Sequence, residues 1–169
     1  SPFADLFMRH RNRLRHMVDL RLHPRLRGRI DPSDVLQEAF LDASRQLPRY
    51  LRDAPMPVFL WLRRVTADRL HDIHRDHLAA KARDARREVP LRAGPAGPAA
   101  SSFTLADVLL QKGTSPSEAA IHAEEKALIQ DALDSLEPTD REILVLRYFE
   151  KLSSAEAAQV LGLREEATR

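Results

Sequence analysis

The segment SSAEAAQVLGLREEATR (residues 153–169) begins with a helix cap and contains one glycine between two helical patterns. Ser153 and Glu156 have the spacing of a capping box, in which a hydroxyl and a carboxylate satisfy free amides at a helix start. Gly162 can adopt the left-handed conformation that ends a helix. With a second helix opening near Arg164, the pattern predicts a helix-turn-helix. It also fits an ordinary helical hairpin.

The second helix of this motif carries the side chains that would reach DNA. In a helix-turn-helix, its first residues face base edges in the major groove. The residues at those positions are Arg164, Glu165, Glu166, Thr168 and Arg169. The sequence stops within the first turns, so we expect the recognition helix to be truncated at its C-terminal end.

The rest of the chain also has helical spacing, for example at Leu36, Ala39, Phe40, Ala43 and Leu47. Alternation of apolar and polar residues is never long enough to predict a strand. The sequence therefore predicts an all-α protein.

Local signals predict where several of these helices begin and end. Asp31 followed by Pro32 is a helix start, Thr139 with Glu142 forms a second capping box, and Pro48 ends the second helix. Trp61 opens the apolar face of the third helix, so we assign it to the core rather than to base stacking.

A stretch of different composition divides the chain. Residues 90–102, PLRAGPAGPAASS, are rich in Pro, Gly, Ala and Ser without apolar periodicity, which is typical of a linker. Residues 103–110 predict a short helix or an extended anchor inside the connection. We therefore predict two small helical domains, 1–88 and 116–169, joined by a flexible linker at 89–115.

Charge is unevenly distributed along the 169 residues, although the formal net charge is only +2. Residues 1–92 carry 20 Lys and Arg against 12 Asp and Glu, a charge of +8, whereas residues 93–169 carry 7 against 13, a charge of −6. This asymmetry predicts that a polyanion meets mainly the first half; two solvated surfaces of different sign would also account for it.

Composition excludes several classes of protein. The chain contains no Cys, which excludes a thiolate metal site and favours the cytoplasm. No apolar run approaches the ~20 residues that span a bilayer, and the Arg-rich start does not resemble a signal peptide. We expect no membrane insertion.

Motifs of catalysis and cofactor binding are also missing from the sequence. There is no Gly-rich phosphate loop, nucleophile elbow or dinucleotide fingerprint, so we predict neither an enzyme nor a bound cofactor. His71, His74 and His77 are spaced three apart, but without the His-Glu-x-x-His arrangement. We interpret them as a solvated helix face and predict no metal site.

Three segments in order resemble the extracytoplasmic-function sigma factors of bacterial RNA polymerase. DPSDVLQEAF (31–40) resembles region 2.2, WLRRVTADRLHDIHR (61–75) resembles regions 2.3 and 2.4, and LEPTDREILVLRYFEKLSSAEAAQVLGL (136–163) resembles region 4. The resemblance covers most of the chain outside the linker. It implies a sigma factor that directs core polymerase to promoters and assists strand opening.

The resemblance also implies partners and site residues. A face of the region 2.2 helix would bind the clamp helices of the largest polymerase subunit, through Asp31, Asp34, Gln37, Glu38 and Asp42. The third helix and the loop before it would bind the opened minus-ten element, through Asp53, Met56, Arg63, Arg64, Asp68, Arg69 and Arg75. The helix-turn-helix residues named above would read the minus-thirty-five duplex. Members of this family commonly have an anti-sigma protein as a further partner.

The sequence departs from the family pattern at several positions. Asp68 stands where Asn is usual, and Asp accepts a hydrogen bond but cannot donate one when ionised. Arg164 replaces the usual capping Ser, and Ala157 replaces a common Ile. Two other functions remain open from the residues alone: a stand-alone helix-turn-helix regulator that binds duplex DNA, and a helical adaptor that binds a basic protein.

Overall fold

A computed structural model describes residues 1–85, 93–110 and 118–169 of the chain. These residues form helices and one very short hairpin, which confirms the prediction of an all-α fold. The elements are α1 (Pro2–Arg21), α2 (Pro32–Asp53), α3 (Val58–Ala85), β1 (Ala93–Gly94), β2 (Gly97–Pro98), α4 (Ser102–Leu110), α5 (Ala119–Asp134), α6 (Pro138–Leu144) and α7 (Ser154–Leu161). Among the described residues, no helix is long and apolar enough to cross a membrane.

Helices α1, α2 and α3 pack on one another and form the first unit. Each contributes an apolar face to a common core, because its large aliphatic residues recur at three- and four-residue intervals. Fully buried examples are Leu14, Val18, Leu36, Leu62 and Leu70. This core fixes the positions of α1, α2 and α3 relative to one another.

Helix α2 begins where the sequence predicts and ends later. The Asp31 carboxylate accepts a hydrogen bond from the Ser33 amide at 2.8 Å, which confirms the predicted cap. The prediction that Pro48 ends the helix is wrong, because α2 continues to Asp53 with Pro48 inside it. A proline removes one backbone hydrogen bond from a helix interior. The packing of Tyr50, two residues later, against Trp61 in α3 offsets that loss.

The second unit consists of α5, α6 and α7 and contains the predicted cap and turn. Ser153 and Glu156 form both hydrogen bonds of the capping box, and Gly162 adopts a left-handed φ of 66°. The predicted box at Thr139 is wrong: α6 begins at Pro138, which occupies the first helical position favoured for proline. Between α6 and α7, residues 145–149 form a π-helical turn.

The described part of the predicted linker packs between the two units. Strands β1 and β2 pair antiparallel, and the loop places Ala96 in a buried position. Gly97 has a φ of 108°, and a Cβ there would lie 3.1 Å from the Cβ of Ala67, so only glycine fits without displacement. Helix α4 follows, which confirms the helix alternative for residues 103–110 and buries Leu105 completely.

The two units share a buried interface. Leu146, Leu152 and Ala157 of the second unit belong to the same apolar cluster as the core of the first. A further cluster joins Leu20 of α1 to Leu105 of α4 and to residues of α5 and the π-helical turn. The first and second units therefore form one packed body in this structure.

Candidate nucleic-acid interface

The exposed side of α2 carries a polar face. Asp34, Gln37 and Glu38 are exposed, whereas Val35 and Leu36 between them are buried in the core. This arrangement follows from helical spacing, because residues three and four apart share one face. Asp31 lies at the start of the same helix but its carboxylate is used as the cap. The face can therefore present two carboxylates and one amide to a partner.

Asp42 and Arg69 are paired with each other. The Arg69 guanidinium contacts the Asp42 carboxylate from Nε at 2.7 Å and from Nη2 at 2.6 Å. The hydrogen bond to Asp42 raises the pKa of Arg69, against a smaller opposing effect of burial. The sequence predicts Asp42 as a polymerase contact and Arg69 as a DNA contact. In the structure they join α2 to α3, and Glu38 lies 3.6 Å from Arg69.

The loop between α2 and α3 borders a cavity of about 380 Å³. Its shape is held by Tyr50, whose hydroxyl donates to the Met56 carbonyl at 2.7 Å and whose ring stacks on Trp61 with centroids 4.1 Å apart. Ala54 adopts a left-handed φ of 32°, which reverses the chain at the end of α2. Trp61 is 6% exposed, in agreement with its assignment to the core.

Charged side chains surround this cavity. Of the residues predicted for the minus-ten element, Asp53, Met56, Arg64 and Asp68 line it together. Partial burial raises the pKa of Asp68, although the nearby positive charge of Arg64 acts in the opposite direction. The cavity thus combines cationic, acidic and apolar groups within one small volume.

Three lining residues were missed by sequence reasoning. Gln46, Arg49 and Tyr50 belong to the last turns of α2 and line the same cavity. The sequence feature that indicates them is the polar and aromatic run QLPRYLR (46–52), directly before the loop at Asp53.

Two predicted DNA contacts lie elsewhere. Arg63 is 1% exposed and its guanidinium is bound to Glu150 of the second unit, so the structure does not place it on the minus-ten surface. Arg75 is exposed about two turns beyond Asp68 along α3 and pairs with Asp72 at 2.8 Å. Arg63 does not lie on the predicted surface, because its guanidinium is paired with Glu150, a residue distant in the sequence.

The residues after Gly162 form a short turn. Residues 165–168 adopt a single 3₁₀ turn rather than the opening of an α-helix. Arg164, Glu165, Glu166 and Arg169 are exposed there. Thr168 is buried, and its hydroxyl lies 2.6 Å from the Ser154 carbonyl oxygen. Four of the five predicted base-facing residues are therefore accessible, and Thr168 instead joins the turn to α7.

The prediction that His71, His74 and His77 form a solvated face of α3 is wrong for His74, which is buried. Among the described residues, no group of three or more His, Cys, Asp or Glu side chains comes together. His74 is buried and its Nε2 accepts a hydrogen bond from the His23 amide at 3.1 Å. Burial, with the nearby His23 and His71, lowers the pKa of His74 from 6.5 to about 4.

This buried histidine predicts acid sensitivity. The unfolded chain takes up a proton at His74 below pH 6.5, whereas the folded chain resists protonation down to about pH 4. The contribution of His74 to stability is therefore present above pH 6.5 and is lost as the pH falls toward 4. We expect a loss of about 2 kcal/mol in the free energy of unfolding between pH 7 and pH 5 from this group. Urea unfolding at several pH values measures it.

The variant His74→Gln is the control for that measurement, because an amide can accept the His23 hydrogen bond without titrating. Its unfolding free energy should decline less steeply between pH 7 and pH 5. Equal slopes for the two proteins would contradict the assignment.

The described residues form an all-α chain with a capped helix and a glycine turn in its second unit and a cavity on its first unit. Residues 126–169 match the family described as "Sigma-70, region 4". The chain is similar to extracytoplasmic-function members of the bacterial sigma-70 family.

Two relatives that are named as sigma factors are similar to most of the chain. The probable RNA polymerase sigma factor RfaY of Xanthomonas campestris is 30% identical over 136 residues, which cover 80% of this chain and 30% of RfaY. The ECF RNA polymerase sigma factor SigD of Mycobacterium tuberculosis is 32% identical over 143 residues, covering 85% of this chain and 58% of SigD. The chain thus spans less than two thirds of either relative.

A solved structure shares the fold. The structure of CnrH in complex with the cytosolic domain of CnrY superposes with a TM-score of 0.50 at 22% sequence identity. The match covers 98% of this chain and 77% of CnrH.

Proposed function

We propose that this chain is a sigma factor that directs core RNA polymerase to specific promoters and assists strand opening. The observation that carries the proposal is the cavity of about 380 Å³ between α2 and α3, on the same unit as the exposed polar face of α2. A protein that melts a promoter must hold an extruded base and must hold the polymerase. The first unit offers one surface for each task.

The α2 face is suited to a basic helical partner. Asp34 and Glu38 are exposed one turn apart, and Gln37 between them can donate and accept. Complementary charge of this kind favours recognition of arginine-rich helices and speeds their association. We assign this face to the clamp helices of the largest polymerase subunit.

The cavity is suited to a base of the opened minus-ten strand. An extruded base needs a shaped pocket, a surface to contact its ring and polar groups at its edge. Met56 and Tyr50 supply apolar contact, while Asp53 and Asp68 supply acceptors. Arg64 at the rim can bind a flanking phosphate.

The helix-turn-helix is suited to duplex DNA of the minus-thirty-five element. The capped α7 and the turn at Gly162 fix the direction in which the following residues leave the motif. Arg164 and Arg169 are exposed there and can contact phosphates or guanine edges.

The proposal implies how the DNA strands are opened and in which compartment the chain works. Strand opening would be driven by binding energy, with no covalent chemistry by this chain. Core polymerase works in the cytoplasm, so the proposal locates the chain there. A protein that covers the α2 face and the cavity would act as an anti-sigma factor.

Transcription with purified components tests the proposal. The chain is mixed with core polymerase and a library of promoter fragments, and start sites are mapped by sequencing the transcripts. We expect a defined set of start sites that is absent with core polymerase alone. Duplex binding without polymerase association would indicate a stand-alone regulator instead. Absence of both would overturn the sigma-factor proposal and favour a helical adaptor.

A further inference from the structure

Two arginines of α1 converge on one serine hydroxyl in the first turn of α2. Arg15 donates from Nη1 to the Ser33 Oγ at 2.9 Å, and Arg11 donates from Nη2 to the same oxygen at 3.3 Å. The two arginines are four residues apart, so they lie on one face of α1. We call Arg11, Arg15 and Ser33 the Ser33 cluster.

The positive charge of this cluster is not balanced by nearby carboxylates. Among the described residues, Arg11 has no ion pair, and Arg15 has one, with Asp19 at 4.0 Å between side chains that are 42% and 48% exposed. A long, exposed ion pair of this kind contributes little stability. Two like charges four residues apart on a helix also repel each other. Two cations therefore meet at one neutral oxygen atom.

The acidic residues on either side of Ser33 do not neutralise the two arginines. The Asp31 carboxylate accepts a hydrogen bond from the Ser33 amide at 2.8 Å and serves as the cap of α2. The Asp34 side chain is exposed on the polar face of α2. Neither carboxylate forms an ion pair with Arg11 or Arg15 in the described part of the chain.

A phosphate group on Ser33 would supply the charge and the oxygen atoms that the cluster lacks. A serine hydroxyl has two lone pairs, and the two guanidinium groups already use both. A phosphoserine carries a charge of about −1.5 to −2 at pH 7 and has three strong acceptor oxygens. Guanidinium groups are planar donors that match the geometry of a phosphate.

We propose that Ser33 is a phosphorylation site whose phosphate is bound by Arg11 and Arg15, and that this phosphate strengthens the binding of the α2 face to core polymerase. The second half of the proposal rests on the proposed function. The first half depends only on the Ser33 cluster.

The chain before Ser33 is accessible to a protein kinase. Residues 27–31 belong to no helix or strand, and Arg27 and Arg29 are exposed within them. Ser33 itself is partly exposed. The kinase would transfer the γ-phosphoryl group of ATP: the bond from Ser33 Oγ to phosphorus forms, the bond from phosphorus to the bridging oxygen breaks, ADP leaves, and the hydroxyl proton passes to the catalytic base of the kinase.

The position of Ser33 connects this modification to the α2 face. Asp34 is the next residue, and Gln37 lies one turn further along the same side of α2 as Ser33. In the unmodified chain, the charges of Arg11 and Arg15 lie beside this acidic face and oppose its attraction for a basic partner. The phosphate cancels those charges, so complementary charge at the interface increases.

A kinase reaction tests whether the folded chain can be modified. The chain is incubated with ATP and an Arg-directed serine/threonine kinase, chosen because it phosphorylates the peptide of residues 25–37, and mass spectrometry locates the phosphate. We expect phosphate on Ser33 and none on that peptide in Ser33→Ala. A folded chain that remains unmodified at Ser33, while the peptide is phosphorylated, would overturn the site.

Phosphorus NMR tests whether the two arginines hold the phosphate. In a chain with phosphoserine at position 33, we expect the second pKa of the phosphate to lie below its ordinary value of about 6, because the guanidinium groups favour the doubly charged form. Arg11→Gln with Arg15→Gln should return this pKa toward 6. Phosphoserine in place of Ser135, which is exposed at the end of α5, is the matched control and should show no decrease. Equal pKa values at the two positions would overturn the role of the arginines.

Fluorescence titration with core polymerase tests the second half of the proposal. At fixed salt, phosphoserine at position 33 should increase the affinity at least about threefold over the parent, and phosphoserine at position 135 should leave it unchanged. Equal affinities of the parent and the chain modified at position 33 would overturn the effect on polymerase. If neither form bound polymerase, the proposed function would be wrong, whereas the phosphorus NMR result would still decide the phosphate site.

Nucleic acid is the other source of phosphate for these arginines. The unmodified chain with Arg11→Gln and Arg15→Gln should bind a single-stranded oligonucleotide as tightly as the parent does, and circular dichroism verifies that it is folded. A clear loss of affinity in this variant would assign the two arginines to a DNA phosphate and would overturn their assignment to phosphoserine.

Discussion

Reversal of two charges on α2, Asp34→Arg with Glu38→Arg, should abolish association with core polymerase. Both carboxylates are exposed, and the basic partner proposed for this face would meet two repulsive contacts in place of two attractive ones. Close charge pairs at interfaces couple with about 1.5–7 kcal/mol, so we expect the affinity to fall by at least about 100-fold. Fluorescence titration of labelled chain with core polymerase at fixed salt measures the loss. Affinity for duplex DNA should be unchanged.

Two controls make that result specific. Asp76→Arg makes the same change at an exposed carboxylate of α3 and should retain polymerase binding. Asp34→Arg alone leaves Glu38 beside Arg69, so it tests the face without disturbing the Asp42 pair. Full polymerase binding by the double variant, with circular dichroism equal to the parent, would remove the α2 face from the proposal.

Local signals of the sequence predict the ends of several helices correctly. The cap at Asp31, the capping box at Ser153 and the left-handed Gly162 all appear in the structure. Each depends on hydrogen bonds or backbone sterics within about four residues, so no knowledge of distant packing is needed. Pro48 shows the limit of this reasoning, because distant packing of Tyr50 on Trp61 holds α2 together beyond it.

That single error also explains two of the three lining residues missed at the cavity. Ending α2 at Pro48 removes Arg49 and Tyr50 from the helix, so neither was considered beside the Asp53 loop. The face of Asp34, Gln37 and Glu38 was predicted well, because helical spacing alone determines which residues share a side.

The buried ion pairs of Arg21 and Arg63 with Glu150 could not be predicted from local sequence. Arg21 and Glu150 are 129 residues apart, and charged residues are almost always exposed unless they are paired. Arg63 lies in a helix rich in arginine, so the sequence favours a phosphate contact at a position that the fold uses for Glu150. Charge summed over each half of the chain does not identify which residues meet.

Replacing Trp61 by Ala should destabilise the first unit strongly. Trp61 is 6% exposed, its ring stacks on Tyr50 at 4.1 Å, and Phe3 packs at 6.2 Å. Removal of a buried Trp costs about 3–5 kcal/mol, since burial is lost and a cavity remains. For a chain of this size we expect the midpoint of thermal unfolding to fall by roughly 10 °C. Thermal denaturation followed by circular dichroism measures it.

The same variant distinguishes a core role from a base-stacking role. Trp61→Phe retains an aromatic ring and should lose much less stability, whereas Tyr148→Ala, at a ring that is 73% exposed, should change stability by less than about 0.5 kcal/mol. Loss of a core residue lowers stability, and here it also alters the cavity, because Trp61 lines it and supports Tyr50, which holds the Met56 carbonyl. If Trp61→Ala unfolded like the parent but lost opened-strand binding, Trp61 would contact the base directly. We expect Trp61→Ala to lose stability instead, because the Trp61 ring stacks on Tyr50 and is only 6% exposed.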